Sequence, residues 1–186
     1  MSDPTADLRR LRQAPAFVGC DPEARLFCVI DAASDTRIYP ALRRFAARER
    51  IVSLYQGNTA VELASAAPYL VEPHADGALL GWLFDELQDE CWGILLWSTA
   101  PLEELRAHFR RLSRVRTEDG RTLLFRLYDP RVLATFLPMC DEAQLTQTFG
   151  PISVFGASVP DSWDVTLLTQ ASGAILEATL SLEPAE

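Results

Sequence analysis

Two hydrophobic patterns alternate along this chain from residue 26 to 150: short continuous apolar runs, and runs spaced three and four positions apart. Leu26-Phe27-Cys28-Val29-Ile30 is apolar throughout and ends at Asp31, which predicts a buried strand. From Pro40 to Arg50, Leu42, Phe45 and Ala46 share one helical face and Arg43, Arg44 and Arg48 the other, an amphipathic helix. Ile51 to Tyr55 predicts a second strand, closed by Gly57-Asn58. Thr59 with Glu62 three positions on has the form of a capping box, opening a short helix that Pro68 stops. Ala78 to Leu87 carries Leu79, Leu80, Leu83, Phe84 and Leu87 at helical spacing. Cys91 to Trp97 is apolar on both faces and therefore predicts a central strand.

Pro101 to Arg116 has the clearest helical stripe, Leu102, Leu105, Phe109 and Leu112, with Glu103 and Glu104 in its first turn and Arg114 and Arg116 in its last, as the helix dipole favours. Glu118-Asp119-Gly120 turns the chain into a fourth strand, Thr122 to Leu127. Asp129 and Pro130 supply an N-cap and an N1 proline for a helix through Leu137. Asp141 to Gln144 resembles a second capping box, for a helix ending at Gly150-Pro151. Beyond it, Ile152 to Ala157, Val165 to Thr169 and Ala174 to Leu182 have strand character, with Ser172-Gly173 as a hairpin turn, although Ala174 to Leu180 also fits a helix.

Alternating strands and helices predict one α/β domain with a mostly parallel sheet, crossover helices and a C-terminal β-rich extension. Residues 1–25 form an N-terminal arm, with one or two helical turns before Pro15. Residues 26–151 form the α/β domain, and residues 152–186 an acidic, apolar extension packed on it. With 186 residues, 48% of them hydrophobic, and a mean hydropathy of +0.04, the chain can bury a core without disulfides or a metal. No apolar run reaches the ~18 residues of a membrane span, and Met1-Ser2-Asp3-Pro4 does not open a secretory signal, so a cytoplasmic protein with no membrane partner is expected.

The net charge of −9 argues against a nucleic-acid partner. All basic residues are arginine and none follows Arg131. Cys20, Cys28, Cys91 and Cys140 form no C-x-x-C pair, and His74 and His108 lie in separate segments and are expected at the surface. That spacing predicts no metal site and free, mostly buried thiols. No phosphate-cradling glycine motif and no G-x-S-x-G elbow occurs, so neither cofactor nor enzymatic activity is expected. Asp31 and Asp129, at the ends of predicted strands, could form a two-carboxylate Mg²⁺ site of a small hydrolase or phosphatase, but capping and turn roles also explain them.

Arg106, Arg110, Arg111 and Arg114 form a basic ridge, which is either a solvated face or a docking face for an acidic partner. Trp92 and Trp97 belong to the core, and Trp163, in the turn Pro160-Asp161-Ser162-Trp163, is the candidate exposed anchor. Arg126, Tyr128 and Arg131 offer further charged and aromatic contacts unless their block is a purely architectural cap.

An ordered set of segments then carries a resemblance: Cys28 to Ala33, Ser53 to Gly57, Ala67 to Val71, Trp92-Gly93-Ile94, the helix from Leu105 to Arg116, Arg121 to Leu133, and Phe149-Gly150-Pro151. Phe125-Arg126-Leu127-Tyr128-Asp129-Pro130-Arg131 is the most specific of them. Over about residues 26–151 the chain resembles the type VI secretion effector-chaperone (adaptor) family, a domain first catalogued as of unknown function. The resemblance implies a non-enzymatic cytoplasmic protein. Such a protein binds a cognate secreted effector and promotes its loading onto the valine-glycine-repeat (VgrG) spike protein, without itself being exported. The family supplies no catalytic motif to carry over. Its C-terminal segment varies, which makes residues 152–186 the expected seat of partner specificity.

Overall fold

The computed structural model describes residues 4–74, 77–87, 90–116, 119–160 and 162–182. In chain order its elements are α1 (Pro4–Phe17), β1 (Arg25–Asp31), α2 (Ile38–Phe45), β2 (Ile51–Ser53), α3 (Gly57–Glu62), β3 (Pro68–Val71), α4 (Ala78–Glu86) and β4 (Gly93–Ser98). There follow α5 (Leu102–Leu112), the ribbon β5 (Arg114–Arg116) and β6 (Thr122–Leu124), α6 (Pro130–Phe136), α7 (Glu142–Phe149), β7 (Val154–Ser158), β8 (Asp164–Ala171) and β9 (Ala174–Ser181).

Seven strands form one sheet in the order β2-β3-β1-β4-β7-β8-β9, and every neighbouring pair is antiparallel. This overturns the expected mostly parallel sheet, and β3 is the reason. β1 and β2 are both antiparallel to β3 and so run in the same direction, with β3 between them. β3 and β4 likewise flank β1 in a common direction. Thus α2 and α4 do link strands of like direction, but each crossover skips one position, and an antiparallel strand fills the gap. This is the split β-α-β arrangement of ferredoxin-like topology. The sequence hides β3 because it is four residues long and opens with Pro68, which has the look of a helix stop. As the first residue of its strand, Pro68 costs the ladder no hydrogen bond.

Burial on both faces, the second signal for a parallel sheet, has another origin here. α1, α2 and α4 cover one face, packing Leu11, Leu42 and Leu83 against Trp97. α5, α6 and α7 cover the other, where Phe109, Leu133 and Phe149 meet Phe27 and Phe155. β7 pairs directly with central β4, so residues 152–182 complete the sheet. Ala174–Ser181 is a strand, joined to β8 through a two-residue turn in which Ser172 and Gly173 both have positive φ.

The N-terminal segment is a 14-residue helix running through Pro15. A proline there cannot donate to the carbonyl four residues back. That carbonyl, on Leu11, instead accepts the indole N–H of fully buried Trp97 at 2.8 Å. Gly156 on the neighbouring strand leaves room for the ring, since a Cβ there would lie 2.9 Å from Trp97 Cζ3.

α5 stops at Leu112, earlier than its arginines suggest: the Ser113 N–H still donates to the Phe109 carbonyl at 2.8 Å as in a helix, but the Ser113 carbonyl accepts the backbone N–H of Phe125, at 2.9 Å, in place of a helical donor. Thr59 lies inside α3, whose N-cap position is Gln56, so no capping box forms there. His108 is buried, not at the surface. Its Nε2 lies 2.8 Å from the Thr148 carbonyl, and since a carbonyl only accepts, Nε2 carries the proton and donates. The ring occupies the space above Gly150, where a Cβ would come within 2.5 Å of Cε1.

Burial lowers the His108 pKa from its ordinary 6.5; the Thr148 bond opposes the shift, and Arg111 adds to it. The unfolded chain therefore binds the proton first as the pH falls. Stability from this site is intact above about pH 6.5 and declines below it, toward the lower folded value. His108→Gln, compared with wild type in urea unfolding at pH 8 and about pH 5.5, should remove part of the acid-side loss of stability.

Candidate partner-binding surface

The block Phe125 to Arg131 follows β6, irregular through Asp129 and then opening α6, and several parts of the fold hold its residues. Phe125 donates its backbone N–H to Ser113 at 2.9 Å and meets Phe136 edge to face, ring centroids 5.0 Å apart. Leu127 and Tyr128 are buried in the core under α5 and α6. Asp129 caps α6, accepting the Arg131 backbone N–H at 3.0 Å, and Pro130 takes the N1 position.

Both strand-end aspartates of the sequence reading have arginine partners. Asp31, at the end of β1, is buried, accepts the Ala33 N–H at 3.0 Å and pairs with Arg126. Asp129 receives Arg131 at two points, Nε to Oδ1 at 3.0 Å and a terminal guanidinium nitrogen to Oδ2 at 2.7 Å. The Arg131 hydrogen bonds hold the Asp129 carboxyl below the usual carboxylate range, against the effect of burial. The strand before Asp129 ends at Leu124 and belongs to the separate two-stranded ribbon, so Asp129 is not at the end of a strand in the main sheet. Among the described residues, no three His, Cys, Asp or Glu side chains gather as metal ligands would.

The candidate contact residues fall into three groups. Tyr128 faces inward, and burial, with Asp31 and Tyr55 adding to it, raises its phenol well above its ordinary value. Arg126, over the Tyr128 ring at 5.8 Å, and Arg131 are exposed, but their charges are engaged by Asp31 and Asp129. Trp163 lies on the far face of the sheet, half-buried, with its ring 6.4 Å from Phe84, and is not an exposed anchor. Arg106, Arg110 and Arg114 stay together at the surface although Arg114 belongs to β5 and not to the helix. Arg106 donates from Nε to the Ser53 carbonyl at 3.1 Å and meets Glu103 at 3.4 Å.

The structure adds what periodicity does not reveal. Arg110 and Arg114 border a cleft of about 170 Å³, also lined by Tyr55, Gln56, Thr59 and Leu124. Leu123 and Leu124, expected in a strand of the main sheet, are 51% and 54% exposed on the ribbon. Adjacent apolar residues beside arginine pairs are the one sequence signal that could have marked this edge. Among the described residues, no helix is long and apolar enough to cross a membrane.

Arg126 tests the architectural weight of the block. Arg126→Met leaves the Asp31 carboxylate buried without its cation and should cost about 1–3 kcal/mol, below the full value for a buried pair because Arg126 is half exposed. Adding Asp31→Asn should recover part of that loss, so a double-mutant cycle in urea reads a coupling of about 1 kcal/mol or more.

No curated protein and no solved structure matches the chain. Its described core segments coincide instead with a family model: residues 26–147, about two-thirds of the chain, match the domain of unknown function DUF4123, and the chain belongs to that family.

Proposed function

We propose that this protein is a non-enzymatic adaptor of type VI secretion, a cytoplasmic chaperone that holds a cognate effector and promotes its loading onto the VgrG spike protein. The ordered resemblance over residues 26–151, centred on Phe125 to Arg131, supports this reading. The geometric observation that carries it is the outer edge of β9. The two-residue turn makes Ala171 and Ala174 a hydrogen-bonded pair. By alternation, Ile175, Glu177 and Thr179 then direct their backbone N–H and C=O groups away from β8. Among the described residues, none of these groups has a protein partner; only at the end of the strand does Arg10 reach across, donating to the Ser181 carbonyl at 2.9 Å. An eight-residue strand open along one side is suited to adding a partner strand. Asp31 and Asp129 offer no comparable support to a hydrolase or Mg²⁺-phosphatase reading, since each is engaged by an arginine.

The reading is tested by a tagged pull-down from the native bacterium, with partners identified by mass spectrometry. Spike protein, a large effector, or both are expected; recovery of neither, from cells shown to express the apparatus, would overturn it. Thr179→Pro removes one outward N–H without touching the ladder to β8, so it should lower partner recovery about tenfold at an unchanged melting temperature.

A further inference from the structure

The cleft between α3 and the end of α5 differs in charge from the rest of the molecule. The chain carries a net charge of −9, yet Arg106, Arg110 and Arg114 gather here. Glu103 partly neutralises Arg106, at 3.4 Å. Among the described residues, neither Arg110 nor Arg114 has a carboxylate within ion-pair distance. The positive charge on Arg110 is disfavoured first by burial, then by Arg106 and Arg114, with Glu103 opposing. A negative group arriving between these guanidiniums would relieve a repulsion built into the unbound protein.

Size narrows the occupant. At about 170 Å³ the cleft is smaller than the ~300–1,000 Å³ of small-molecule sites. It holds the equivalent of about six waters at ~30 Å³ each, which is room for one side chain. A nucleic-acid strand would need a positive field extended over several phosphates, which a chain of this net charge does not supply. Beside the arginines, Leu124 offers an exposed apolar surface, and Gln56 and Thr59 offer neutral hydrogen-bonding groups.

We infer that the cleft between Arg110 and Arg114 seats an acidic side chain of a protein partner, with an apolar neighbour of that side chain laid on Leu124. The adaptor reading enters only in making the partner a protein; the chemistry of the cleft stands on its own residues.

The experiment measures binding of three fluorescein-labelled probes to the full chain at low salt: a peptide of alternating Glu and Leu, its Gln-for-Glu counterpart, and a single-stranded oligodeoxynucleotide. The Glu peptide should bind about tenfold more tightly than the Gln peptide, and more weakly as salt rises. Arg110→Gln with Arg114→Gln should reduce its affinity to that of the Gln peptide, while the melting temperature holds or rises because a like-charge repulsion is gone. A purely structural role for the arginines would lower it. Leu124→Ala should weaken binding several-fold. Equal binding of the two peptides, no saturable binding up to about 1 mM, indifference to the double substitution, or preference for the oligonucleotide would each overturn the inference. Failure here with spike or effector recovered in the pull-down leaves the adaptor reading standing without this contact. Success here with neither recovered leaves an acidic-segment binder outside secretion.

Discussion

Asp31 ends the strand around which the sheet is organised, and its carboxylate is buried where water cannot solvate it. A charge in that position costs several kcal/mol unless a cation and hydrogen-bond donors surround it. The Ala33 N–H supplies one donor, and the cation is Arg126, 95 residues further along the chain. Arg126 reaches Asp31 only because its neighbours are fixed: Leu127 and Tyr128 are buried, and Phe125 is bonded to Ser113. Ser113 is also the residue that stops α5. The early end of that helix, the position of the ribbon and the pairing at the end of β1 are therefore one constraint.

That linkage explains why Phe125 to Arg131 is the most specific segment of the resemblance. Its residues answer to several elements: a helix end, a core, a cap, a strand end. Most of its side chains are thereby committed to the fold. In this chain the block is architecture, and the cleft proposed for a partner lies beside it, lined by residues such as Gln56, Thr59 and Leu124 that follow no periodic rule.

Local signals made much of the fold legible. The apolar runs of β1 and β4, the Asp129-Pro130 cap, the Asp141–Gln144 box and the Ser172-Gly173 turn are all decided by nearest neighbours, and the structure has each of them. What escaped was decided at long range. β3 exists because β1 and β2 leave a gap of one strand between them, and without it the direction of the whole sheet is misread. The helix through Pro15 depends on an indole donor 86 residues away. His108 shares the buried face of its helix, three positions after Leu105 and four before Leu112, and the turn at Gly150 completes its burial. At the candidate site, the arginine ridge was legible as charge, but Tyr128 and Trp163 turn inward because of contacts that spacing cannot reveal.

The adaptor we propose would hold two partners without their competing for one surface, and this sheet has two candidate surfaces far apart. The cleft adjoins Leu54 and Pro68, at the β2-β3 end, whereas β9 is the opposite edge. Five strand spacings separate β3 from β9, about 24 Å at ~4.8 Å each. The two surfaces also select opposite charge. The cleft is cationic, whereas Glu177 stands at the centre of the open row on β9. An acidic segment of the kind proposed for Arg110 and Arg114 would be disfavoured at that edge by Glu177. The same residue opposes self-association. An antiparallel pairing of two β9 edges centred on the open row sets Glu177 against Glu177 of the second copy, and like charges directly opposite are destabilising. An edge that is open, yet guarded against its own copy, selects for a strand of different sequence.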